Sequence, residues 1–283
     1  MECPSGCGNH SYVHGYFGKR RVPRFKCRTC KRTFSPSTLK PCAHVNIPTA
    51  ILYRVLDCLT EGCSIRSTER MTGVHRDTIL RLLARAGNAA ADLLHTRLRC
   101  LRCQRVQVDE LWTFVFVKQH RLNGIHNHAE MGDQYVFVAL DADSKLAITH
   151  RIGKRDSVNT YHFIADLRER LANRVQLTTD GFRPYLLAVE DAFGSDVDYA
   201  QLVKLYGQDK KRSDDREWYA PVRVVAAIPT PVQGEPDLWK ISTSHVERQN
   251  LTMPMKMRRF TRLTNGFSKK LDNLKAAVAL YFF

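Results

Sequence analysis

The chain has 283 residues, 43% hydrophobic and 25% charged, which is ordinary for a protein with a packed core. No apolar stretch reaches about 18 residues, and the first residues lack the charged and apolar regions of a signal peptide. We therefore expect no membrane span and a reducing, cytosolic setting. The formal net charge of +16 at pH 7 predicts an anionic partner such as a nucleic acid.

The positive charge is concentrated at the two ends of the chain. Residues 1–105 carry 19 basic and 6 acidic residues, a net charge of +13, and residues 247–283 carry 8 and 2, a net charge of +6. Residues 106–246 carry 17 and 20, a net charge of −3. Basic ends around a mildly acidic middle indicate binding to a phosphate backbone on either side of an acidic metal site. A solubilising basic surface is the alternative.

Residues 1–42 contain two close pairs of cysteines, Cys3 with Cys7 and Cys27 with Cys30. Four thiolates in this arrangement can close a tetrahedral Zn²⁺ site, and a closed site is structural because it keeps no open position for catalysis. The aromatic and basic run between the pairs predicts short strands. We therefore predict a zinc ribbon over residues 1–42, with unpaired thiols as the alternative.

Residues 46–98 predict three helices. The first covers about 47–62, a short one runs from Ser64 to Met71, and after a turn containing a glycine another runs from His75 to Ala86. This is the helix-turn-helix pattern, in which the last helix enters the major groove of DNA. The bases that lie off its apolar stripe are the predicted DNA contacts: Arg76, Arg81 and Arg85. A helical hairpin with a solvated charged face is the alternative. A helical linker follows.

Residues 105–283 alternate between strand and helix patterns. We predict strands over 105–117, 134–142, 145–152 and 174–179, with a helix over 157–173 before the last of them. One more helix is expected within 184–206, and a polar loop or small insertion over 207–240. Three strands, a helix and a fourth strand is the order of the ribonuclease H-like α/β fold. The predicted fold class is thus multi-domain: a zinc ribbon, an all-α helix-turn-helix unit and an α/β ribonuclease H-like catalytic domain.

Three carboxylates are the candidate catalytic residues. Asp109 and Asp180 lie in or directly after apolar strand-like runs, 71 residues apart, and Glu247 begins a basic helix 67 residues later. In the predicted fold the first and fourth strands are neighbours, so the two aspartates meet, and the helix brings Glu247 to the same sheet. Such oxygen ligands suit two Mg²⁺ or Mn²⁺ ions for phosphodiester chemistry. Glu110 points to the opposite face of its strand and is not predicted to be a ligand.

The segment that follows Glu247 interleaves basic and aromatic residues, which suits contact with the backbone of DNA ends. A solvated helix face is the alternative. The predicted DNA-binding residues here are Lys256, Arg258, Arg259 and Arg262.

At these motifs the chain resembles the transposases of the insertion-sequence-one family, bacterial mobile-element proteins with a DDE catalytic domain. The resemblance is carried by CPSGC…FKCRTCKRTFSP, the helix-turn-helix, VDELWTFV, TTDGFRPY and STSHVERQNLTM…MRRFTRLTN, and it covers almost the whole chain. It implies that Asp109, Asp180 and Glu247 bind the catalytic metals and that the four cysteines bind zinc. His245 also falls in the family's active-site segment.

The resemblance further implies binding to element ends, cleavage of a strand and its transfer into target DNA. A dimer or larger assembly on double-stranded DNA is expected, in the bacterial cytoplasm at the nucleoid. Two other readings stay open. Pro254 stands where relatives commonly carry Arg or Lys, and the apolar run ending at Phe283 is one that relatives usually continue. Both fit a DNA-binding relative that no longer cuts. A ribonuclease H-like junction nuclease is the third reading.

Overall fold

A computed structural model describes residues 1–18, 21–36, 47–124, 129–207, 224–260 and 265–283. Over these ranges the chain is a mixed α/β protein with nine strands and seven α-helices. The predicted DNA contact Arg262 lies outside them. None of the helices described is long and apolar enough to cross a membrane.

The N-terminal residues form a small three-stranded antiparallel sheet. Its strands are β1 (Ser11–Phe17), β2 (Val22–Cys27) and β3 (Thr33–Phe34), in the order β1-β2-β3. The strands predicted between the cysteine pairs are therefore confirmed. The core of this unit is small, with Cys3, Cys27 and Phe34 as its buried members. So few apolar residues supply little burial energy, and other interactions have to hold the unit together.

Three helices follow: α1 (Thr49–Thr60), α2 (Ile65–Thr72) and α3 (Arg76–Arg97). The Ser64 hydroxyl caps α2, and Gly73 ends it in the left-handed conformation, at φ 69°, that glycine adopts without strain. The Glu69 carboxylate accepts the backbone N–H of Arg76 at 2.9 Å, which ties the start of α3 to α2. The predicted order of helices is confirmed. However, the predicted third helix and linker form one continuous helix that reaches Arg97.

The remaining residues form a six-stranded mixed sheet in the order β6-β5-β4-β7-β8-β9. Its strands are β4 (Arg105–Val115), β5 (Gly132–Asp141), β6 (Ala147–Gly153), β7 (Gln176–Asp180), β8 (Asp198–Tyr206) and β9 (Val224–Gln233). Strands β4, β5 and β6 are antiparallel neighbours, while β7 lies parallel to both β4 and β8. The predicted adjacency of the first and fourth strands is confirmed.

Helices cover both faces of this sheet. They are α4 (Ser157–Arg170), α5 (Pro184–Phe193), α6 (Ser244–Lys256) and α7 (Leu271–Phe282). One core contains Val106 and Val108 of β4 with α4 and α5, and the other contains Val136 and Val138 of β5 with α6 and α7. Buried side chains therefore alternate between the two faces along the central strands.

Two strands depart from the sequence-based expectation. The one further helix predicted within 184–206 is present as α5, but the segment also contains β8, which was not predicted. The segment 207–240 predicted a loop, but it contains β9, the edge strand that pairs antiparallel with β8. Strand β9 was not predicted from the sequence because it contains Pro229 and Pro231, and proline is normally excluded from strands except at an edge.

Helix α3 belongs to two cores at once. Its Ile79 and Leu82 pack with α1 and α2, whereas Leu83 and Ala90 share a core with α6 and α7. Gly87 permits the close approach, because a Cβ there would lie 2.3 Å from the backbone oxygen of Ala276 in α7. The helical unit therefore packs against the sheet-containing region.

Candidate functional site

Two aspartates meet where two parallel strands part. Strand β4 pairs with β7 from Arg105 with Gln176 to Gln107 with Thr178, and the pairing stops there. Asp109 and Asp180 each lie two residues beyond the last pair, on the side of the sheet that α6 covers. Side chains at this opening are not separated by a hydrogen-bonded ladder, so carboxylates from both strands can converge.

The carboxylates of Asp109, Glu110 and Asp180 each offer an oxygen, and these atoms lie within 4.8 Å of one another. This group could bind a divalent cation, whose preferred ligands are oxygens. Glu110, which was not predicted to be a ligand, therefore lies close enough to take part in such a site. Glu110 does point to the face opposite Asp109, but beyond Gln107 strands β4 and β7 are no longer paired with each other, and oxygens from both faces come within reach at this opening.

Asp109 is held by a residue that the sequence analysis missed. Asn250, one helical turn after Glu247 on α6, donates from Nδ2 to Asp109 Oδ2 at 3.0 Å. The other end of this amide, Asn250 Oδ1, is buried and has no hydrogen-bond partner. Burial, together with the charges of Asp180 and Glu247, raises the pKa of Asp109 to about 6, while hydrogen bonds from the backbone N–H of Glu110 and from Asn250 act to lower it. The carboxylate thus gains from a nearby cation.

Glu110 is enclosed, with a side chain only 3% exposed. The Tyr185 hydroxyl of α5 donates to its Oε1, and the Arg155 guanidinium lies 3.2 Å from its Oε2. Burial, followed by the charge of Asp180, raises the pKa of Glu110 to about 7. Near neutral pH this group therefore changes charge readily, which suits a site that takes up a cation.

Glu247 lies in the first turn of α6 and does not belong to the group of oxygens within 4.8 Å. Its Oε1 accepts hydrogen bonds from Lys204 of β8 and from the Thr243 hydroxyl. It is nonetheless close enough for its charge to raise the pKa of Asp109. The three predicted carboxylates thus lie in one region of the molecule. Oxygens of Asp109 and Asp180 lie within 4.8 Å of each other, and Glu247 lies nearby, paired with Lys204.

The start of α6 is fixed to the sheet by one side chain. Gln107 Oε1 accepts the backbone N–H groups of His245 at 2.9 Å and Val246 at 3.2 Å. This satisfies two of the free donors that a helix N-terminus leaves. Since Gln107 lies two residues before Asp109 on β4, it sets the position of α6 relative to that aspartate. His245 is held here through its backbone, and its ring is not part of the metal-ligand group.

A cleft of about 520 Å³ opens beside the carboxylates. Its lining combines the acidic Asp109 and Asp180 with the basic Arg155, Arg183 and Lys204. Arg155 and Lys204 were not singled out in the sequence, because nothing in their local pattern marks them. Only the contact of distant elements shows that they face the acidic group. The cleft can hold a cation and an anion side by side.

The four predicted zinc ligands, Cys3, Cys7, Cys27 and Cys30, lie together with their sulfur atoms within 4.8 Å of one another. The sulfurs of Cys3 and Cys30 are 3.5 Å apart, while four sulfurs around one zinc would lie about 3.8 Å apart. Hydrogen bonds from the backbone N–H groups of Cys30 and Thr29 lower the pKa of Cys27 to about 6. This favours the thiolate, which is the form that binds metal. The cluster could hold a metal such as zinc.

The predicted DNA contacts fall into two groups. Arg76, Arg81 and Arg85 are exposed along the first half of α3, where Arg81 also donates to Asp77 and Thr78. Lys256 and Arg258 are exposed at the end of α6.

Arg259 differs from these bases. It is part-buried and donates to the Ser268 hydroxyl at 2.8 Å, and burial lowers its pKa to about 10. Its guanidinium is therefore directed inward to Ser268, next to Phe260, which belongs to the core.

Neither a scan against models of protein families nor a search of curated proteins gave a match for this chain. The chemistry therefore has to be argued from its own residues.

Proposed function

We propose that the chain is a DDE-type DNA transposase, of the kind found in the insertion-sequence-one family. It would bind the ends of an insertion sequence and catalyse metal-dependent cleavage and transfer of DNA strands. The observation that carries the proposal is the convergence of Asp109 and Asp180 from adjacent parallel strands, with Glu247 on a helix beside them. The strand order, with β7 joining β4 after an antiparallel β4-β5-β6 unit, is the order of ribonuclease H-like catalytic domains.

The donor set fits the metals that this activity needs. Oxygen-only ligands favour Mg²⁺ or Mn²⁺ at the carboxylates, and four sulfurs favour Zn²⁺ at the N-terminal cluster. Divalent cations in the cleft would activate the attacking oxygen and stabilise the leaving 3′-oxygen, as in two-metal nucleases. The charges of both other carboxylates act on Asp109, which suits it to a shared ligand role, with Asp180 and Glu247 as the flanking ligands.

The chain's own residues supply the positioning. Asn250 orients Asp109, and Gln107 holds the start of α6 so that Glu247 stays beside it. Lys204 and Arg183 lie in the same cleft and can bind the non-bridging oxygens of a DNA phosphate. Together these contacts would hold the bond to be cut over the carboxylates, which is where most of the catalysis in phosphoryl transfer arises.

We assign recognition of the DNA sequence to the helical unit formed by α1, α2 and α3. A short helix, a glycine turn and a basic helix support a helix-turn-helix, with Arg76 and Arg81 near the end of α3 that would enter the major groove. The basic N-terminal zinc ribbon and the end of α6 would contact the phosphate backbone. Because two element ends have to be joined, a dimer or larger assembly on DNA is expected, in the bacterial cytoplasm.

The second candidate is a DNA-binding relative that no longer cuts. It is favoured by Pro254, which removes a backbone donor inside α6 and cannot bind a phosphate. The helix nevertheless continues past Pro254 to Lys256, so that Lys256 and Arg258 remain available near the same end.

The test is a strand-transfer assay with purified protein, a duplex carrying the flanking element end, a supercoiled target plasmid and Mn²⁺. We expect joined product from the wild type and none from Asp109→Asn, with end binding unchanged. Asp143→Asn is the matched control, because Asp143 forms an exposed ion pair with Arg105 away from the cleft. End binding without any cleavage by the wild type would establish the second candidate, and joining by Asp109→Asn would refute the assigned role of that carboxylate.

A further inference from the structure

Arg155 lies in the short connection between β6 and α4, and its side chain reaches the acidic group. The guanidinium donates to Asp180 Oδ2 at 3.0 Å and to Glu110 Oε2 at 3.3 Å. Its central carbon lies 3.9 Å from the centre of the Phe182 ring. One cation therefore joins two of the three clustered carboxylates and packs on the aromatic face of Phe182, two residues after Asp180.

The ion pairs of Arg155 use the same carboxylates that a divalent cation would use. Three carboxylates whose oxygens lie within 4.8 Å repel one another, and a single guanidinium compensates only part of that repulsion. A divalent cation at these oxygens carries twice the charge and can approach more closely. Its binding would therefore remove the partners of Arg155.

The Phe182 ring gives Arg155 a second anchor that does not depend on the carboxylates. A guanidinium on an aromatic face keeps its N–H edges free for bidentate bonds to an anion. Arg155 is 34% exposed and lines the cleft with Lys204 and Arg183, so its edge can reach a ligand there. A phosphate diester matches the fork of the guanidinium as well as a carboxylate does.

We propose that Arg155 is a phosphate-binding residue of the cleft, paired with Glu110 and Asp180 when no divalent cation is bound and transferred to a DNA phosphate when a cation occupies those carboxylates. The inference rests on the proposed function, and it adds a residue that neither the carboxylate pattern nor the basic segments indicate. It also makes the metal and the DNA bind cooperatively, since each removes an obstacle to the other.

The first measurement is the affinity of the full chain for Mn²⁺ in the absence of DNA, with the free ion quantified by electron paramagnetic resonance. Arg155→Ala removes the competing cation, so we expect it to bind Mn²⁺ about two- to tenfold more tightly than the wild type, the range expected for two part-exposed ion pairs. Arg155→Lys keeps the charge and should lie between the two. Arg168→Ala is the matched control, because Arg168 also pairs with a carboxylate, Asp196, and lies over a ring, Phe193.

The second measurement is the affinity for a short duplex, by fluorescence anisotropy, with and without Ca²⁺ as a cation that does not support cleavage. We expect Ca²⁺ to raise the affinity of the wild type and of Arg168→Ala, and Arg155→Ala to lose most of that gain. Thermal melting of each variant checks that it is folded.

Equal or weaker Mn²⁺ binding by Arg155→Ala, or an undiminished Ca²⁺-dependent gain in DNA affinity, would overturn the proposal. An absence of Mn²⁺ binding in every variant would likewise overturn the proposal, and it would contradict the assignment of a metal site to these carboxylates. Mn²⁺ binding that responds to Arg155 as expected, without any strand transfer, would contradict the proposed function alone.

Discussion

At the scale of single residues, Asn250 is the contact whose removal is most informative. Asn250→Leu deletes the hydrogen bond to Asp109, and bonds to charged groups contribute about 1.5–3 kcal/mol, so strand transfer should fall at least about tenfold. Stability should change little, because the same substitution removes the buried, unpaired amide oxygen. Reaction rates and melting temperatures, measured together, check both statements.

Gln249→Leu is the comparison for this variant. It removes a neighbouring amide on α6 that bonds to Tyr281 instead of the acidic group. A loss of rate as large in Gln249→Leu as in Asn250→Leu would show that only the packing of the helix matters.

The pKa values of the buried carboxylates predict how stability depends on pH. Burial raises the pKa of Asp109 from 3.8 to about 6 and that of Glu110 from 4.5 to about 7. Between about pH 4 and 7 the folded chain thus binds more protons at these groups than the unfolded chain, and their contribution to stability falls as the pH rises. In metal-free melts, Glu110→Gln should flatten this fall.

Two further measurements test the direction of this pH dependence. Added Mn²⁺ should restore stability at neutral pH, since it binds the ionised carboxylates. Asp143 should behave oppositely, because the Arg105 guanidinium lowers its pKa. A wild-type melting temperature that rises from pH 4 to 7 by the same amount as that of Glu110→Gln would contradict the assignment.

Sequence alone could suggest Asp109 and Asp180, because an aspartate in or directly after an apolar strand-like run is a local pattern. It could not identify Glu110 as a neighbour, since the alternation of side chains along β4 does not show where the pairing of β4 with β7 ends. Asn250, Arg155 and Lys204 act through contacts between elements far apart in the chain, and such contacts leave no local signal.

At the scale of elements, the contact between α3 and α7 depends on the absence of one side chain. In Gly87→Ala the new methyl group would meet the backbone of Ala276, so the helices have to move apart. We expect a loss of about 2 kcal/mol in the free energy of unfolding, as for other overpacked cores. Gly124→Ala, where a Cβ meets open space, should be neutral in the same denaturant titration. Equal stability of both variants would show that the contact adapts.

The elements predicted well from the sequence are those whose apolar residues recur at a regular helical or strand spacing. Helices α1 to α4 and strands β4 to β7 show the expected spacing of apolar residues. Strand β9 escaped prediction because most of its side chains are exposed and two are prolines. Pro229 and Pro231 are two residues apart, so their missing N–H groups lie on the same side, and the pairing with β8 places that side at the outer edge. This edge is therefore poorly suited to extension by another strand.

At the scale of the whole molecule, the N-terminal unit should depend on its metal. Its buried core is too small to fold it unaided, whereas zinc in a four-cysteine site contributes of the order of 10 kcal/mol. We expect one zinc per chain by mass spectrometry, and cleavage by a protease within residues 1–36 after chelation. Cys27→Ser should lose the zinc, while Cys100→Ser, outside the cluster, should keep it. Zinc retained in Cys27→Ser would place the metal elsewhere.

The three-part organisation remains a prediction from composition. What composition could not give is that α3 serves two cores, because one apolar stripe looks the same whether it packs on one neighbour or on two. The C-terminal end of α3 is fixed as well, since Arg170 of α4 donates to the carbonyl oxygens of Leu94 and Leu98 at 3.2 and 3.3 Å.

Because of this attachment, α3 can act as a rigid spacer of fixed length. Its 22 residues span about 33 Å, roughly the rise of ten base pairs. One end carries Arg76, and the other is fixed to α4, which packs on the sheet that carries Asp109 and Asp180. The sequence that is read and the bond that is cut would then stay at a set separation. Inserting two base pairs between them should leave the cut at its original distance from the recognised sequence, now at a different phosphate, as mapping of the cleaved ends would reveal.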